Sequence, residues 1–76
     1  MNTKHHPQIT LSPVKSSQIE SIGHQGDTLA VKFKSGGTYH YHGVNADTYR
    51  QMLEAESIGS FLATRIKGTY KFTKQK

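Results

Sequence analysis

Cysteine is absent from the chain. That excludes a disulfide framework and a thiolate zinc site, and it fits a reducing compartment. No apolar run approaches the ~18 residues that a membrane span requires, and the first residues lack the apolar stretch of a secretory signal. The expectation is a cytoplasmic domain with no membrane partner. No Gly-x-Ser-x-Gly elbow occurs, and no glycine-rich phosphate loop precedes a helix, so two common catalytic signatures are missing. Ser16, Ser17, Ser57 and Ser60 each have a local role as cap or turn former. No serine or threonine stands out as a nucleophile with a histidine base; no catalytic residue is expected, and the chain reads as non-enzymatic.

Acids are missing from the last twelve residues. Five bases (Lys4, Lys15, Lys32, Lys34, Arg50) and five acids cancel up to Thr64. From Arg65 onward come Lys67, Lys71, Lys74 and Lys76 with no acid, so the whole net charge of +5 sits there, with Tyr70 and Phe72 between the bases. Interleaved basic and aromatic residues suit nucleic-acid backbones and exposed bases; a solvated basic tail is the plainer reading. With 76 residues and a hydrophobic fraction of 33%, the chain has material for one small domain with a thin core. A domain of this size buries only about 60% of its unfolded surface.

The pattern along the chain divides it into a flexible arm over residues 1–13, a folded domain over 14–70 and a basic tail over 71–76. Pro7 and Pro13 argue against regular structure in the arm. Residues 14–24 read as a first strand, with a bulge near residues 21–23 because Ile19 and Ile22 break the period of two. Gln25-Gly26-Asp27 is a turn. Residues 28–34 form the clearest strand: Leu29, Val31 and Phe33 face one way, Ala30, Lys32 and Lys34 the other. Ser35-Gly36-Gly37 leads into Thr38-Tyr39-His40-Tyr41-His42, whose tyrosines share one face and whose histidines share the other. A two-residue loop at Gly36-Gly37 would bury the histidines. A three-residue loop pairs Phe33 with Tyr39 and Val31 with Tyr41, and this apolar match is preferred because a one-residue slip inverts every face.

After Gly43-Val44 the period changes. Asn45 or Asp47 can cap a helix over residues 46–55, with Tyr49, Met52 and Leu53 as its apolar face. Ser57 can cap a second, carrying Ile58, Phe61, Leu62 and Ile66, with Gly68 as its stop. The fold class is α+β: a three-stranded antiparallel meander followed by two short helices (β-β-β-α-α), to which residues 69–72 can add a short C-terminal edge strand.

These residues resemble the KTSC domain, a short module found at the C-terminus of some lysyl-tRNA synthetases and as stand-alone bacterial and phage proteins. The likeness runs through Val14-Lys15-Ser16-Ser17-Gln18-Ile19, Ile22-Gly23, Leu29-Ala30-Val31-Lys32-Phe33 and Gly36. It continues in the central Tyr39-His40-Tyr41, which matches the family's Tyr-x-Tyr, and in Gly43-Val44, Ser57-Ile58-Gly59, Ile66-Lys67 and Tyr70. The chain departs from the family's habit at His24 and Gln25, at Asn45, and at Leu62-Ala63. The synthetase context implies RNA binding and implies nothing about catalysis.

His40 and His42 have the spacing of a chelating pair, and His24 on a neighbouring strand is a candidate third ligand. Catalytic zinc takes three protein ligands, themselves held by further hydrogen bonds. No acid stands at a supporting spacing, so neither a metal nor another cofactor is expected. Tyr39 and Tyr41 are either core residues or a stacking platform for unstacked bases; the hairpin register favours core. The candidate nucleic-acid contacts are Lys32, Lys34, His40, His42, Arg65, Lys67, Lys71 and Lys74. They form one basic surface if the C-terminal segment returns along the histidine face. The expected partner is RNA or single-stranded DNA, bound weakly and in a salt-sensitive way. The alternative is a protein-interaction module, an adaptor or phage-type inhibitor that pairs through an open sheet edge, and a monomer or weak homodimer fits either reading.

Overall fold

The structure is a computed structural model, and it describes residues 9–75. Lys4, the His5-His6 pair, Lys76 and most of the N-terminal arm lie outside those residues. A single antiparallel sheet of five strands runs in chain order: β1 (Ser12–Pro13), β2 (Ile19–Gln25), β3 (Thr28–Phe33), β4 (Thr38–His42) and β5 (Phe72–Gln75). Between β4 and β5 lie α1 (Ala46–Glu54), α2 (Ile58–Phe61) and a π-helical turn (Leu62–Ile66) that continues α2. No helix among the described residues is long and apolar enough to cross a membrane.

The α+β class and the central meander hold, but the sheet has five strands where the residue pattern suggests a three-stranded meander with an optional C-terminal edge strand over residues 69–72, which lies instead at Phe72–Gln75. Both additions are short edges. Ser12 and Pro13 pair with Ile22 and Ser21. Proline is tolerated there because an edge strand need not donate on its outer side. Residues 14–18, expected within the first strand, instead form a loop whose Ser16 Oγ accepts from the Gln18 and Ile19 amides. The bulge comes earlier than residues 21–23, between Ile19 and Ser21. β5 pairs with β4 from Tyr41–Phe72 to Thr38–Gln75.

The β3–β4 hairpin keeps the expected faces in a different register. Val31 pairs with Tyr39 and Leu29 with Tyr41, two residues away from the preferred pairing. The three-residue loop is Lys34-Ser35-Gly36: the Phe33 amide donates to the Gly37 carbonyl (2.8 Å), and the Gly36 amide donates to the Phe33 carbonyl (2.9 Å). Gly36 has φ of +114°, which a residue with a Cβ resists, so the bulged position must be this glycine.

One sheet face carries the core. Ile22, Leu29, Val31 and Tyr41 pack there with Ile19, Val44, Met52, Phe61, Leu62 and Ile66. Asn45 caps α1, its side chain accepting from the Thr48 amide (2.8 Å), and Ser57 caps α2 by accepting from the Ser60 amide (3.1 Å). Leu53, expected on the apolar face of α1, is instead 48% exposed; Met52 alone of that helix is fully buried. The other face is partly roofed by Ile9 and Thr10, which precede β1. Thr10 and Ile9 press on Gly23 so closely that a side chain there would collide with the Thr10 carbonyl. This explains why Ala30, on the face away from the helices and paired with Gly23, is only 1% exposed.

Candidate nucleic-acid interface

The faces of the sheet separate the residues expected to act together. His40 pairs with Ala30 and His42 with Thr28, both on the face away from the helices. His42 shares a hydrogen bond of 2.9 Å between its Nε2 and Thr73 Oγ1. Partial burial, and after it the neighbouring His42, lower the pKa of His40 below its ordinary value. These residues line a shallow hollow with Asp27, Thr28, Thr73 and Gln75. His24 lies on the opposite face, paired with Leu29. Its Nε2 bonds the Val44 carbonyl (2.6 Å), so it cannot join His40 and His42 around one ion. No group of three ligating side chains comes together among the described residues.

The cations divide in the same way. Lys32 is on the histidine face, 3.6 Å from Glu20. Lys71 is at the end of the β4–β5 ladder, where its carbonyl accepts from the His42 amide (2.8 Å). Lys34 occupies the hairpin turn, its amide bonded to the Gln18 carbonyl (2.9 Å). Arg65 lies 5.1 Å from the centre of the Phe61 ring, and Lys67 Nζ lies 5.5 Å from that of Phe33, both by the helices. Lys74 pairs with Tyr39 and so shares the tyrosine face. The C-terminal segment extends the sheet rather than returning across the histidine face. The eight basic residues therefore do not form one surface.

What the fold assembles instead is an aromatic groove on the helix side. Burial falls off toward the β5 edge: Val31 is fully enclosed, Tyr41 is 3% exposed, Tyr39 is half-buried and Phe72 is 59% exposed. Phe33 meets Tyr39 edge-on at 5.5 Å and 82°. Phe72 leans on Tyr39 (5.5 Å, 56°) and on Tyr41 (5.8 Å, 44°). Together with Ser35, Lys67 and Gly68 these four rings line an open groove of about 450 Å³. Burial, and then the neighbouring Tyr39, push the Tyr41 hydroxyl above its ordinary pKa, so it stays protonated. Tyr41 is a buried core residue with one face on the groove, as the alternation of its strand suggests, whereas Tyr39 is only half-buried and forms more of the wall.

A second hollow of about 600 Å³ shares Ser35 with the first and Gln75 with the hollow on the histidine face. It is lined by Ser35, Gly36, Gly37, Lys74 and Gln75. A Cβ on Gly37 would lie 3.2 Å from Tyr39 Cε1 and 3.9 Å from Lys74 Cε, so the glycine leaves room for the ring and the lysine stem. Phe72 and Ser35 were not legible as site residues. The first stood out only as an aromatic between bases, and the second only as a turn former.

Comparison with known proteins agrees with the residue pattern. The chain is 35% identical over 63 residues to a protein of Tsukamurella paurometabola, covering 80% of this chain and 94% of that one. A crystal structure of a KTSC domain protein from Yersinia pestis superposes with a TM-score of 0.85 at 35% identity, covering 91% of this chain and all of the other. The family model of the KTSC domain matches residues 15–70, so the chain belongs to the KTSC domain family.

Proposed function

We propose that this domain is a small, non-catalytic, cytoplasmic module that binds RNA or single-stranded DNA. The observation that carries the reading is the exposed ring of Phe72 beside Tyr39 and Tyr41, with Lys67 in the wall of the groove and Lys74 in the hollow that shares Ser35 with it. Exposed aromatic faces stack on bases irrespective of sequence, and flanking cations neutralise the backbone. The placement of all net charge after Thr64 supports the same reading, because β5 carries part of that charge to the groove. An electrophoretic titration with single-stranded RNA at two salt concentrations tests it. A shift at low salt that fades at high salt is expected, and no shift at low salt removes the reading.

A second reading rests on the outer edge of β5, the last strand of the sheet. Such an edge can accept a strand from a partner protein or from a second copy. A pull-down that retains one protein after nuclease treatment and a high-salt wash favours it over nucleic acid.

A further inference from the structure

The two hollows that meet at Ser35 differ in chemistry. One is walled by Phe33, Tyr39, Tyr41 and Phe72; the other is built from the hairpin glycines, Gln75 and Lys74. An apolar planar slot next to a small polar, cationic one is complementary to a nucleotide, whose flat base is joined to an anionic phosphate. The rings of the first hollow are inclined to one another, Phe72 by 56° to Tyr39 and by 44° to Tyr41. The exposed face of Phe72 is therefore not used up by its neighbours, and a planar ring can lie against it.

We propose, on the footing of the nucleic-acid reading above, that the two hollows form a single nucleotide subsite for a single strand. The base enters the aromatic groove against Phe72 and Tyr39. Its phosphate is held beyond Ser35 by the Lys74 ammonium and the Ser35 hydroxyl. Lys67, whose ammonium stands over the Phe33 ring, meets the adjoining phosphate. Gly37 keeps the passage between the two halves clear, since a side chain there would crowd Tyr39 at 3.2 Å. The histidine face, with Lys32, His40 and His42, takes no part.

The test is fluorescence anisotropy of the full chain with labelled oligouridine, its deoxy counterpart, and a strand of equal length with abasic sites. Phe72 is exposed, so its substitution leaves the fold intact; a thermal midpoint for each variant verifies this. Phe72→Leu keeps apolar bulk without a π face and is expected to weaken binding about five- to a hundredfold, with the salt slope unchanged. Phe72→Trp is expected to retain binding. Lys74→Ala is expected to lower the salt slope by about 0.7, the loss of one single-strand phosphate contact. Lys32→Gln and His42→Ala are expected to bind as the unaltered chain does. Binding of either the ribose or the deoxyribose strand upholds the subsite, and their ratio identifies the preferred source. Equal affinity for the abasic strand overturns it, as does weakening by the histidine-face variants with the groove variants unaffected; nucleic-acid binding itself survives both results. Failure of every strand to bind at low salt removes the broader reading and the subsite with it.

Discussion

The imidazole of His24 donates from Nε2 to the carbonyl of Val44 at 2.6 Å, and so ties β2 to a residue two positions before α1 begins. A carbonyl can only accept, so the bond fixes which nitrogen carries the proton. The same ring lies nearly parallel to Tyr49, with centroids 5.0 Å apart and 13° between planes. His24→Ala removes a hydrogen bond worth about 0.5–1.5 kcal/mol and an aromatic contact of similar size. The expected result is a loss of about 1–3 kcal/mol in urea unfolding, with little change in nucleic-acid affinity because His24 does not line the groove.

Gly23 has no space for a methyl group. A Cβ there would strike the Thr10 carbonyl and lie 2.9 Å from Ile9 Cγ2. Gly23→Ala should displace residues 9–11 from the sheet or strain β2, at a cost of about 1–3 kcal/mol by the measure of overpacked cores. Amide hydrogen exchange distinguishes the two: displacement exposes the strip over Ala30, whereas strain deprotects β2 itself.

Asn45→Ala should destabilise the domain by about 1 kcal/mol, since the Thr48 amide loses its side-chain acceptor. Asn45→Asp should restore it, because aspartate accepts the same bond and its charge favours a helix N-terminus. Thermal midpoints of the three proteins check the order.

Partial burial, followed by the charge of His42, holds the His40 pKa below its ordinary 6.5. The unfolded chain then binds a proton that the folded chain refuses, so folding stability rises with pH across that interval. On acidification the contribution begins to fall near the ordinary value of 6.5 and is fully lost below the lowered one. Denaturant midpoints between pH 7.5 and 5.5 should decline, and His40→Gln should flatten the decline. An unchanged slope in that variant would assign the effect elsewhere.

The alternation of Leu29, Val31 and Phe33 against Tyr39 and Tyr41 was enough to place both tyrosines on the core side. It could not place the loop, because sliding the hairpin by two residues preserves every face and still matches apolar with apolar. The choice falls to Gly36, whose positive φ closes the bulged turn at Lys34-Ser35-Gly36. The helix caps were readable because Asn45 and Ser57 act on amides three residues away. The edges were readable only in part: the alternation at residues 69–72 points to a C-terminal edge strand that forms three residues later, at Phe72–Gln75, while Ser12–Pro13 has no strand pattern and gains its structure from the neighbour it pairs with. The groove was illegible for the same reason: Phe33, Tyr39 and Phe72 come from three strands, and only β5 pairing brings the last of them beside the others.

β5 supplies the outermost wall of the groove through Phe72, yet it is held on one side only. Detaching an edge strand of four residues costs less than global unfolding. Whatever binds against Phe72 binds only the chain whose last strand is docked, and mass action then transfers its binding free energy to that strand. The end of the chain thus serves as a reporter: protection of the amides in β5 should rise with ligand concentration before protection of the buried strands changes at all.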